Sequence, residues 1–267
     1  MKKKKWGGNI YLLILFAILY MPIIYLIVYS FNSTDTMNGF TGFSLQWFVE
    51  LFKDERLLQA VLNTVVIGLL SALIATVIGV IAAIGLYNMR QKRAREGMLA
   101  VNNILITSPD VIIGASFLML FTMAGMSLGF ISVLIAHIAF SIPLVVLMVL
   151  PKLNEMNTNL IDAAYDLGAS RFYALRAVIL PQIMGGVFAG FFTALTYSLD
   201  DFAVTFFVTG NGFSTLSIEV YSMARMGISL KINAISTVIF VIVFVGVLVQ
   251  YSYQQQKLKR KEERRHA

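Results

Sequence analysis

The chain has 267 residues, of which 58% are hydrophobic and 13% are charged, and its net charge is +7 at pH 7. Soluble domains carry about 25% charged residues, so this composition excludes an ordinary soluble protein. The chain contains no cysteine, which excludes disulfides and thiol chemistry.

Several segments of the sequence are long and apolar enough to span a membrane, which requires about 20 residues in a helix. Lipid offers the backbone no hydrogen-bond partners, so long apolar runs of this kind indicate helices. The six predicted spans are residues 10–30, 61–87, 98–123, 130–150, 179–201 and 234–253. The sequence therefore predicts an all-α, polytopic membrane protein, with residues 1–267 forming a single transmembrane domain.

Lysine and arginine are unevenly distributed between the two sides of these spans. Four segments are enriched in them: residues 2–5, 90–95, 152–176 and 257–265. The opposite side carries only four: Lys53, Arg56, Arg225 and Lys231. Cytoplasmic loops are the basic ones, so both termini, including a basic tail over residues 254–267, are predicted to be cytoplasmic. This asymmetry accounts for the net charge, and the expected surroundings are a lipid bilayer rather than nucleic acid.

The first loop and the second span indicate packing and interfacial elements. Residues 45–58 mix apolar and charged side chains, which predicts an amphipathic helix in the membrane interface. In the second span, small residues recur every fourth position: Ser71, Ala75, Gly79 and Ala83. Such a face favours close approach of another helix.

The third span contains Ser108-Pro109-Asp110 about ten residues from its start. Serine followed by proline is a strong signal for the beginning of a helix, with Pro109 at the first helical position. The span is therefore predicted to be broken or sharply kinked within the membrane. Two roles stay open for Asp110: it caps the second half at its positive end, or it faces a cation pathway.

The fourth span contains a histidine, His137, and a proline, Pro143. A single histidine in a span, without cysteine, glutamate or a second histidine in the membrane, favours hydrogen-bonded packing over metal binding. We expect no metal site in this chain.

A polar segment, residues 152–180, connects the fourth and fifth spans. It predicts a helix ending at Leu167, a left-handed stop at Gly168, and a second helix that Ser170 caps and that leads into span five. One face of the first helix carries Leu160, Ala163, Ala164 and Leu167. The pattern fits either a lever that enters a groove of another protein or an interfacial connector.

The fifth span carries a polar stripe near its outer end. Four residues share one helical face: Thr193, Thr196, Tyr197 and Asp200. Asp201 follows, turned about 100° away. A polar stripe should face the protein interior or a water-filled path, because a carboxylate in the membrane is costly. The two aspartates either cap the helix end or line a path for a polycation, in which Tyr197 adds cation–π attraction.

The segment between spans four and five resembles the cytoplasmic EAA loop of ABC-importer permeases. It matches as Asp162-Ala163-Ala164, three residues, Gly168, nine residues, and Val178-Ile179-Leu180-Pro181. Asp162 stands where the family usually has glutamate. The resemblance implies a type I permease fold and a lever that couples the chain to an ATPase through Asp162, Ala163, Ala164, Leu167 and Gly168. The chain has no G-x-x-x-x-G-K-[ST] motif, so ATP hydrolysis is expected on a separate subunit.

Other segments are similar to spermidine/putrescine permeases of the C-subunit type. They are Tyr29-Ser30-Phe31-Asn32, Ser108-Pro109-Asp110, Asp166-Leu167-Gly168-Ala169-Ser170, Ser198-Leu199-Asp200-Asp201-Phe202 and Phe207-Val208-Thr209-Gly210. The resemblance implies a bacterial cytoplasmic-membrane importer with an ATPase dimer, which binds ATP and Mg²⁺, a second homologous permease and an extracytoplasmic polyamine-binding protein. That protein would dock on the outer loops, including residues 213–231.

The substrate path is expected to include Thr193, Thr196, Tyr197, Asp200, Asp201 and Asp110, with Asp200 ranked first, Asp201 second and Asp110 third among the carboxylates. Two alternatives stay open. One is an importer permease for another small solute. The other is a self-contained secondary transporter that uses Asp110 and Asp200 or Asp201 as ion or proton sites.

Overall fold

A computed structural model of the chain describes residues 6–226 and 230–266. The helices within these residues are α1 (Trp6–Tyr29), α2 (Gln46–Lys53), α3 (Glu55–Asn88), α4 (Lys92–Thr107), α5 (Asp110–Met123), α6 (Phe130–Asn154), α7 (Asn159–Asp166), α8 (Arg171–Ala174), α9 (Leu180–Asp200), α10 (Ala203–Val208), α11 (Leu216–Met226) and α12 (Leu230–His266). Among the described residues there is no β-strand, only an isolated bridge between Asn32 and Phe43. The all-α prediction is confirmed.

Five helical segments of the described chain have the length and hydropathy of membrane spans. They are Ile10–Tyr29, Glu55–Asn88, Phe130–Asn154, Arg171–Asp200 and Leu230–Tyr253. The predicted third span consists of two helices, α4 and α5, that meet at an angle of 106°. Six spans result if this bent pair crosses the membrane once. The basic residues 2–5 and residue 267 of the predicted tail lie outside the described residues.

The break in the predicted third span lies at Ser108 and Pro109. Both residues are extended, with φ −73° and ψ 141° at Ser108 and φ −61° and ψ 134° at Pro109. Proline disfavours the helical conformation in the residue before it, so two extended residues in succession redirect the chain. The Ser108 hydroxyl donates to the Ile104 carbonyl at 2.6 Å, which satisfies an acceptor at the end of α4. The predicted break is confirmed, although α5 begins at Asp110 and not at Pro109.

Residues Gln59–Glu219 form one compact unit, in which α6 and α9 share the most extensive packing. Val145 of α6 lies between two glycines, Gly79 of α3 and Gly190 of α9. A Cβ at Gly79 would lie 2.7 Å from the Val145 side chain, and one at Gly190 would lie 3.2 Å from its Cα. The small-residue face of α3 is buried, as Ser71, Ala75 and Ala83 also show. The prediction that this face packs closely against another helix is confirmed.

Residues Met1–Leu58 and Val220–Ala267 form the other unit, in which α12 packs against α1 and α2. Helix α2 is shorter than the predicted segment 45–58, because Asp54 is extended (φ −83°, ψ 90°) and α3 begins directly after it. It buries Trp47, whose indole N–H donates to the Asn32 carbonyl at 2.8 Å, and it exposes Phe52. The helix is amphipathic as predicted, and its place at the membrane interface stays a prediction.

Candidate functional site

One cavity in the unit Gln59–Glu219 has a volume of about 650 Å³ and opens to the surface. It lies beside the C-terminal half of α9 and the start of α10. The residues that line it are Asp110, Phe192, Thr193, Thr196, Tyr197, Asp200, Asp201, Phe202 and Ala203. All six residues predicted to form the substrate path are therefore brought together, along with two aromatic rings that the sequence did not indicate.

The cavity forms where the break of α4 and α5 meets the polar stripe of α9. The hydroxyl of Tyr197 donates to Oδ1 of Asp110 at 2.6 Å, which joins two segments 87 residues apart. The stripe itself follows from helical spacing, since α9 is regular from Leu180 to Asp200. Thr196 donates its hydroxyl to the Phe192 carbonyl at 2.8 Å, so a polar group on a membrane helix is satisfied within its own turn.

Asp110 is the first residue of α5, close to the positive end of the helix. Within the described residues, its carboxylate makes no hydrogen bond to a backbone N–H of α5; it accepts from Tyr197 instead. Its place in the first turn of α5 fits the predicted stabilisation at the positive helix end, and both predicted roles of Asp110 stay open. Its carboxylate lies at the cavity wall and is half-buried.

Asp200 is the last residue of α9 and is exposed to the cavity. Among the described residues, its carboxylate has no hydrogen-bond donor and no basic partner. Its carboxylate therefore faces the cavity without a partner from the part of the chain that the structure describes.

Asp201 has a different environment from its neighbour, because its side chain is buried. Its carboxylate accepts hydrogen bonds from the backbone N–H groups of Val204 (3.2 Å) and Thr205 (2.8 Å) and from the Thr205 hydroxyl (2.6 Å). These bonds cap α10 at its N-terminal end. Of the two predicted roles, Asp201 has the capping role. It caps the start of α10 and not, as was predicted, the end of α9. Asp110 consequently replaces Asp201 as the second candidate for contact with a cation.

A buried polar network around His137 lies directly behind the cavity. The sequence predicted that His137 packs with hydrogen bonds, but it did not predict the partners. The Nδ1 of His137 lies 2.6 Å from Oγ of Ser198, and its Nε2 lies 2.9 Å from Oγ1 of Thr205 and 3.4 Å from Oδ2 of Asp201. Ser198 also lies 3.1 Å from Oγ of Ser71. The partners are 61 and 68 residues from His137 in sequence, so spacing could not identify them. The one local signal was the i, i+4 pair of Asp201 and Thr205.

The segment between α6 and α9 has the predicted turn chemistry. Gly168 has φ +81°, and the two N–H groups after α7 donate backwards, from Gly168 to Tyr165 (2.9 Å) and from Ala169 to Ala164 (3.0 Å). This pair of bonds is a Schellman motif, which ends a helix at a left-handed residue. Oγ of Ser170 accepts from the Tyr173 N–H at 3.2 Å. The glycine stop and the serine cap are both confirmed.

The second predicted helix of this segment leads into span five, as predicted, and the two form one continuous helical segment, Arg171–Asp200. Helix α8 passes through a π-helical turn, Leu175–Ile179, into α9. Pro181 has no N–H and its ring would clash with the carbonyl of Ala177 in a regular α-helix. The wider turn, closed by a bond from the Leu180 N–H to the Leu175 carbonyl, accommodates the proline without ending the helix.

The surface of this segment exposes several large apolar side chains among its polar ones. Leu167 is 89% exposed and Phe172 is 72% exposed. Asp162, Ala163 and Gly168 are exposed as well, whereas Ala164 is half-buried. Single exposed apolar residues are ordinary, but a cluster on a polar connector marks a surface suited to another protein.

Comparison with known proteins gives matches over most of the chain. Residues 75–260 match the family described as "Binding-protein-dependent transport system inner membrane component". The chain is 39% identical to the spermidine/putrescine transport system permease protein PotC of Escherichia coli (strain K12), over 92% of each chain. It is 33% identical to the putrescine transport system permease protein PotI of the same strain, over 93% of this chain and 91% of PotI. In a crystal structure of a bacterial ABC transporter that imports the acidic polysaccharide alginate, one chain matches with a TM-score of 0.74 over 94% of both chains at 16% identity, a likeness of fold.

Proposed function

We propose that this chain, which belongs to the family of binding-protein-dependent transport system inner membrane components, forms half of the membrane path of an ATP-driven polyamine importer. Its relatives PotC and PotI are named as permeases for spermidine/putrescine and for putrescine. The observation that carries the proposal is the acidic cavity. Its walls hold three carboxylates, and no lysine, arginine or histidine is among the described residues that line it.

The chemistry of this cavity suits a polyamine. A polyamine has two or more positive charges, and removing them from water costs much free energy unless other groups replace the solvent. Asp200 offers a carboxylate with no partner among the described residues, Asp110 offers one that accepts from the Tyr197 hydroxyl, and Tyr197 offers an aromatic face. The aromatic side chains of Phe192 and Phe202 can contact the methylene segments between the ammonium groups.

The energy for transport comes from partner subunits in this proposal. An ATPase dimer binds ATP and Mg²⁺, a second homologous permease completes the path, and an extracytoplasmic polyamine-binding protein delivers the substrate. Closure of the ATPases moves α7 through its docked surface, which includes Asp162, Ala163, Ala164, Leu167 and Gly168. Because α8 is continuous with α9, this motion reaches the helix that lines the cavity and alternates its access between the two sides.

The test is polyamine uptake by the complete complex in proteoliposomes. ATP is supplied on the side of the membrane that the ATPase subunits face. Asp200→Asn keeps the shape of the side chain and removes its charge. We expect the KM for labelled spermidine or putrescine to rise about tenfold, which corresponds to roughly 1.4 kcal/mol. The matched control is Glu96→Gln, which neutralises a carboxylate on α4 that is exposed and lies outside the cavity lining.

The same vesicles separate this proposal from its alternatives. Uptake by the chain without an ATPase would indicate a secondary transporter. ATP-dependent uptake of another solute, with no uptake of polyamines, would place the chain in the importer class with a different cargo. An unchanged KM in Asp200→Asn would remove Asp200 from the path.

A further inference from the structure

The cavity is bounded by the break between helices α9 and α10. The geometry of this break sets the direction in which the Asp200 carboxylate points. Helix α9 ends at Asp200, Asp201 is extended (φ −64°, ψ 124°), and α10 begins at Ala203. Tyr197 and Asp200 lie in the last turn before the break. A rotation of α10 against α9 would therefore move the residues that line the cavity.

His137 contacts both sides of this break from a third helix. Its Nδ1 meets Ser198 in the last turn of α9, at 2.6 Å, and its Nε2 meets Thr205 in the first turn of α10, at 2.9 Å. An imidazole ring is rigid, so two short bonds to its opposite nitrogens fix the separation of the two helix ends. His137 is 1% exposed, so bulk water does not reach either bond.

The hydrogen bonds of this network connect four helices. The Thr205 hydroxyl donates to Asp201 at 2.6 Å, so its oxygen can accept from Nε2–H of His137. Ser198 lies 2.6 Å from Nδ1 of His137 and 3.1 Å from Oγ of Ser71, and the Ser71 hydroxyl also donates to the Gly68 carbonyl at 3.2 Å. The network thus links α3, α9 and α6 to the carboxylate that caps α10.

The network also touches the cavity wall through an aromatic pair. Phe140, one turn from His137 on α6, has its ring centroid 4.9 Å from the imidazole and 5.2 Å from the ring of Tyr197. A shift of the imidazole would therefore be transmitted to Tyr197 and to its bond with Asp110.

We propose that His137 is a positioning residue for substrate: it holds the break between α9 and α10 in the geometry that turns Asp200 and Tyr197 into the cavity. This inference rests on the proposed function, because the substrate is the cation that these side chains are proposed to meet. It gives a transport role to a histidine that makes no contact with the cavity itself.

Two substitutions of His137 each remove one of the two hydrogen bonds of the imidazole and can keep the other. His137→Asn places its amide near the position of Nδ1 and can keep the bond to Ser198, while it loses Thr205. His137→Gln reaches the position of Nε2 and can keep Thr205, while it loses Ser198. The control is Ser141→Ala, one turn further along α6, because Ser141 is equally buried and its hydroxyl has no hydrogen-bond partner among the described residues.

The experiment measures position and transport separately in the complete complex. The chain has no native cysteine, so Asp200→Cys reports on this site alone when the labelled subunit is separated on a gel. We expect its rate of modification by a small cationic thiol reagent to change about fivefold in the His137→Asn and His137→Gln backgrounds, since each loses one bond across the break. It should not change in the Ser141→Ala background. The same substitutions with Asp200 intact should raise the KM for spermidine or putrescine more than they lower the maximal rate.

The outcomes distinguish a failure of this inference from a failure of the proposed function. Unchanged labelling in both His137 variants would overturn the positioning role, whatever the cargo is. A double variant, His137→Asn with Asp200→Asn, should raise the KM by less than the product of the two single effects; effects that multiply in full would also overturn the inference. If labelling changes as expected while Asp200→Asn leaves polyamine uptake intact, the positioning of Asp200 stands and the assigned cargo path is wrong. Reduced amounts of assembled complex, with normal labelling and KM in what remains, would reduce His137 to a packing residue and overturn the proposal.

Discussion

Two adjacent aspartates of this chain have opposite uses, and the break in the backbone between α9 and α10 separates them. Asp200 still belongs to α9 and continues its polar face, so its carboxylate reaches the cavity. Asp201 is extended and turns its carboxylate back onto the first N–H groups of α10. Helical periodicity is sufficient to predict the first outcome. The second depends on where the helix ends, which periodicity does not determine.

This difference predicts opposite phenotypes for two identical substitutions. Asp201→Asn replaces a carboxylate that accepts three hydrogen bonds with an amide that has one acceptor oxygen, and it leaves donors of α10 unpaired. We expect a loss of stability of about 1–3 kcal/mol, seen as a lower melting temperature of the purified complex. Asp200→Asn should leave the melting temperature unchanged. A drop in substrate affinity without loss of stability in Asp201→Asn would contradict the capping role.

Tyr197 contributes a hydroxyl and a ring, which two substitutions can separate. Tyr197→Phe removes the donor to Asp110 and keeps the ring beside Phe140. We expect polyamine uptake to fall several-fold, because Asp110 loses one hydrogen bond and is left free to move. Tyr197→Leu should reduce uptake further, since the aromatic face is lost too. Equal uptake in Tyr197→Phe and wild type would show that the hydroxyl does not hold Asp110 for substrate.

At the scale of the elements, the sequence was sufficient to predict that the helices exist. It was not sufficient to predict where each helix ends. Apolar runs predict α3, α6 and α12 because a lipid environment admits few other structures. The break at Ser108 was predictable because proline acts on its immediate neighbour. The π-helical turn that carries α8 into α9 was not predictable, since it relieves Pro181 within a packed helix.

Close packing of α6 on α9 gives a matched pair of neighbouring glycines. A Cβ at Gly186 would lie 2.8 Å from the backbone carbonyl oxygen of Met148, whereas a Cβ at Gly185 would have no atom within 4 Å. We expect Gly186→Ala to destabilise the chain by about 1–3 kcal/mol through overpacking. Gly185→Ala should be neutral or slightly stabilising. Thermal melting of the two detergent-purified variants compares them directly, and equal melting temperatures would contradict the close approach of α9 to α6.

The connector helix α7 provides a second test at this scale. Gly168→Val introduces a side chain at φ +81°, which costs roughly 1–2 kcal/mol or more in the left-handed region, and should change the direction in which the chain enters α8. We expect normal insertion, weaker co-purification of the ATPase and little transport. Gly97→Val, at a helical glycine with open space around it, is the control. Full ATP-driven uptake in Gly168→Val would exclude this segment from coupling.

At the scale of the molecule, the sequence predicted the class of fold and the grouping of the path residues because both follow from short-range patterns. Hydropathy gives the spans, and a stripe at i, i+3, i+4 and i+7 gives four lining residues of the cavity. The joining of Asp110 to Tyr197 and of His137 to Ser198 and Thr205 was beyond these patterns. Those contacts depend on how helices that are distant in sequence pack together. Local patterns in a single sequence do not reveal that packing.

The orientation of the chain in the membrane is a prediction of the whole molecule, and the absence of native cysteine makes it simple to test. Basic residues favour the cytoplasmic side, so the segment after α3 and the end of α12 should lie inside and the loop before α2 outside. Arg93→Cys, Gln255→Cys and Phe43→Cys place single thiols at exposed positions of these three segments. A membrane-impermeant maleimide should label Phe43→Cys in intact spheroplasts and should label the other two only after the membrane is opened.

The polyamine path requires this orientation, because Asp200 would then lie towards the outer surface, where a binding protein delivers substrate, and α7 would lie inside with the ATPases. Labelling of Arg93→Cys or Gln255→Cys from outside would reverse both assignments at once.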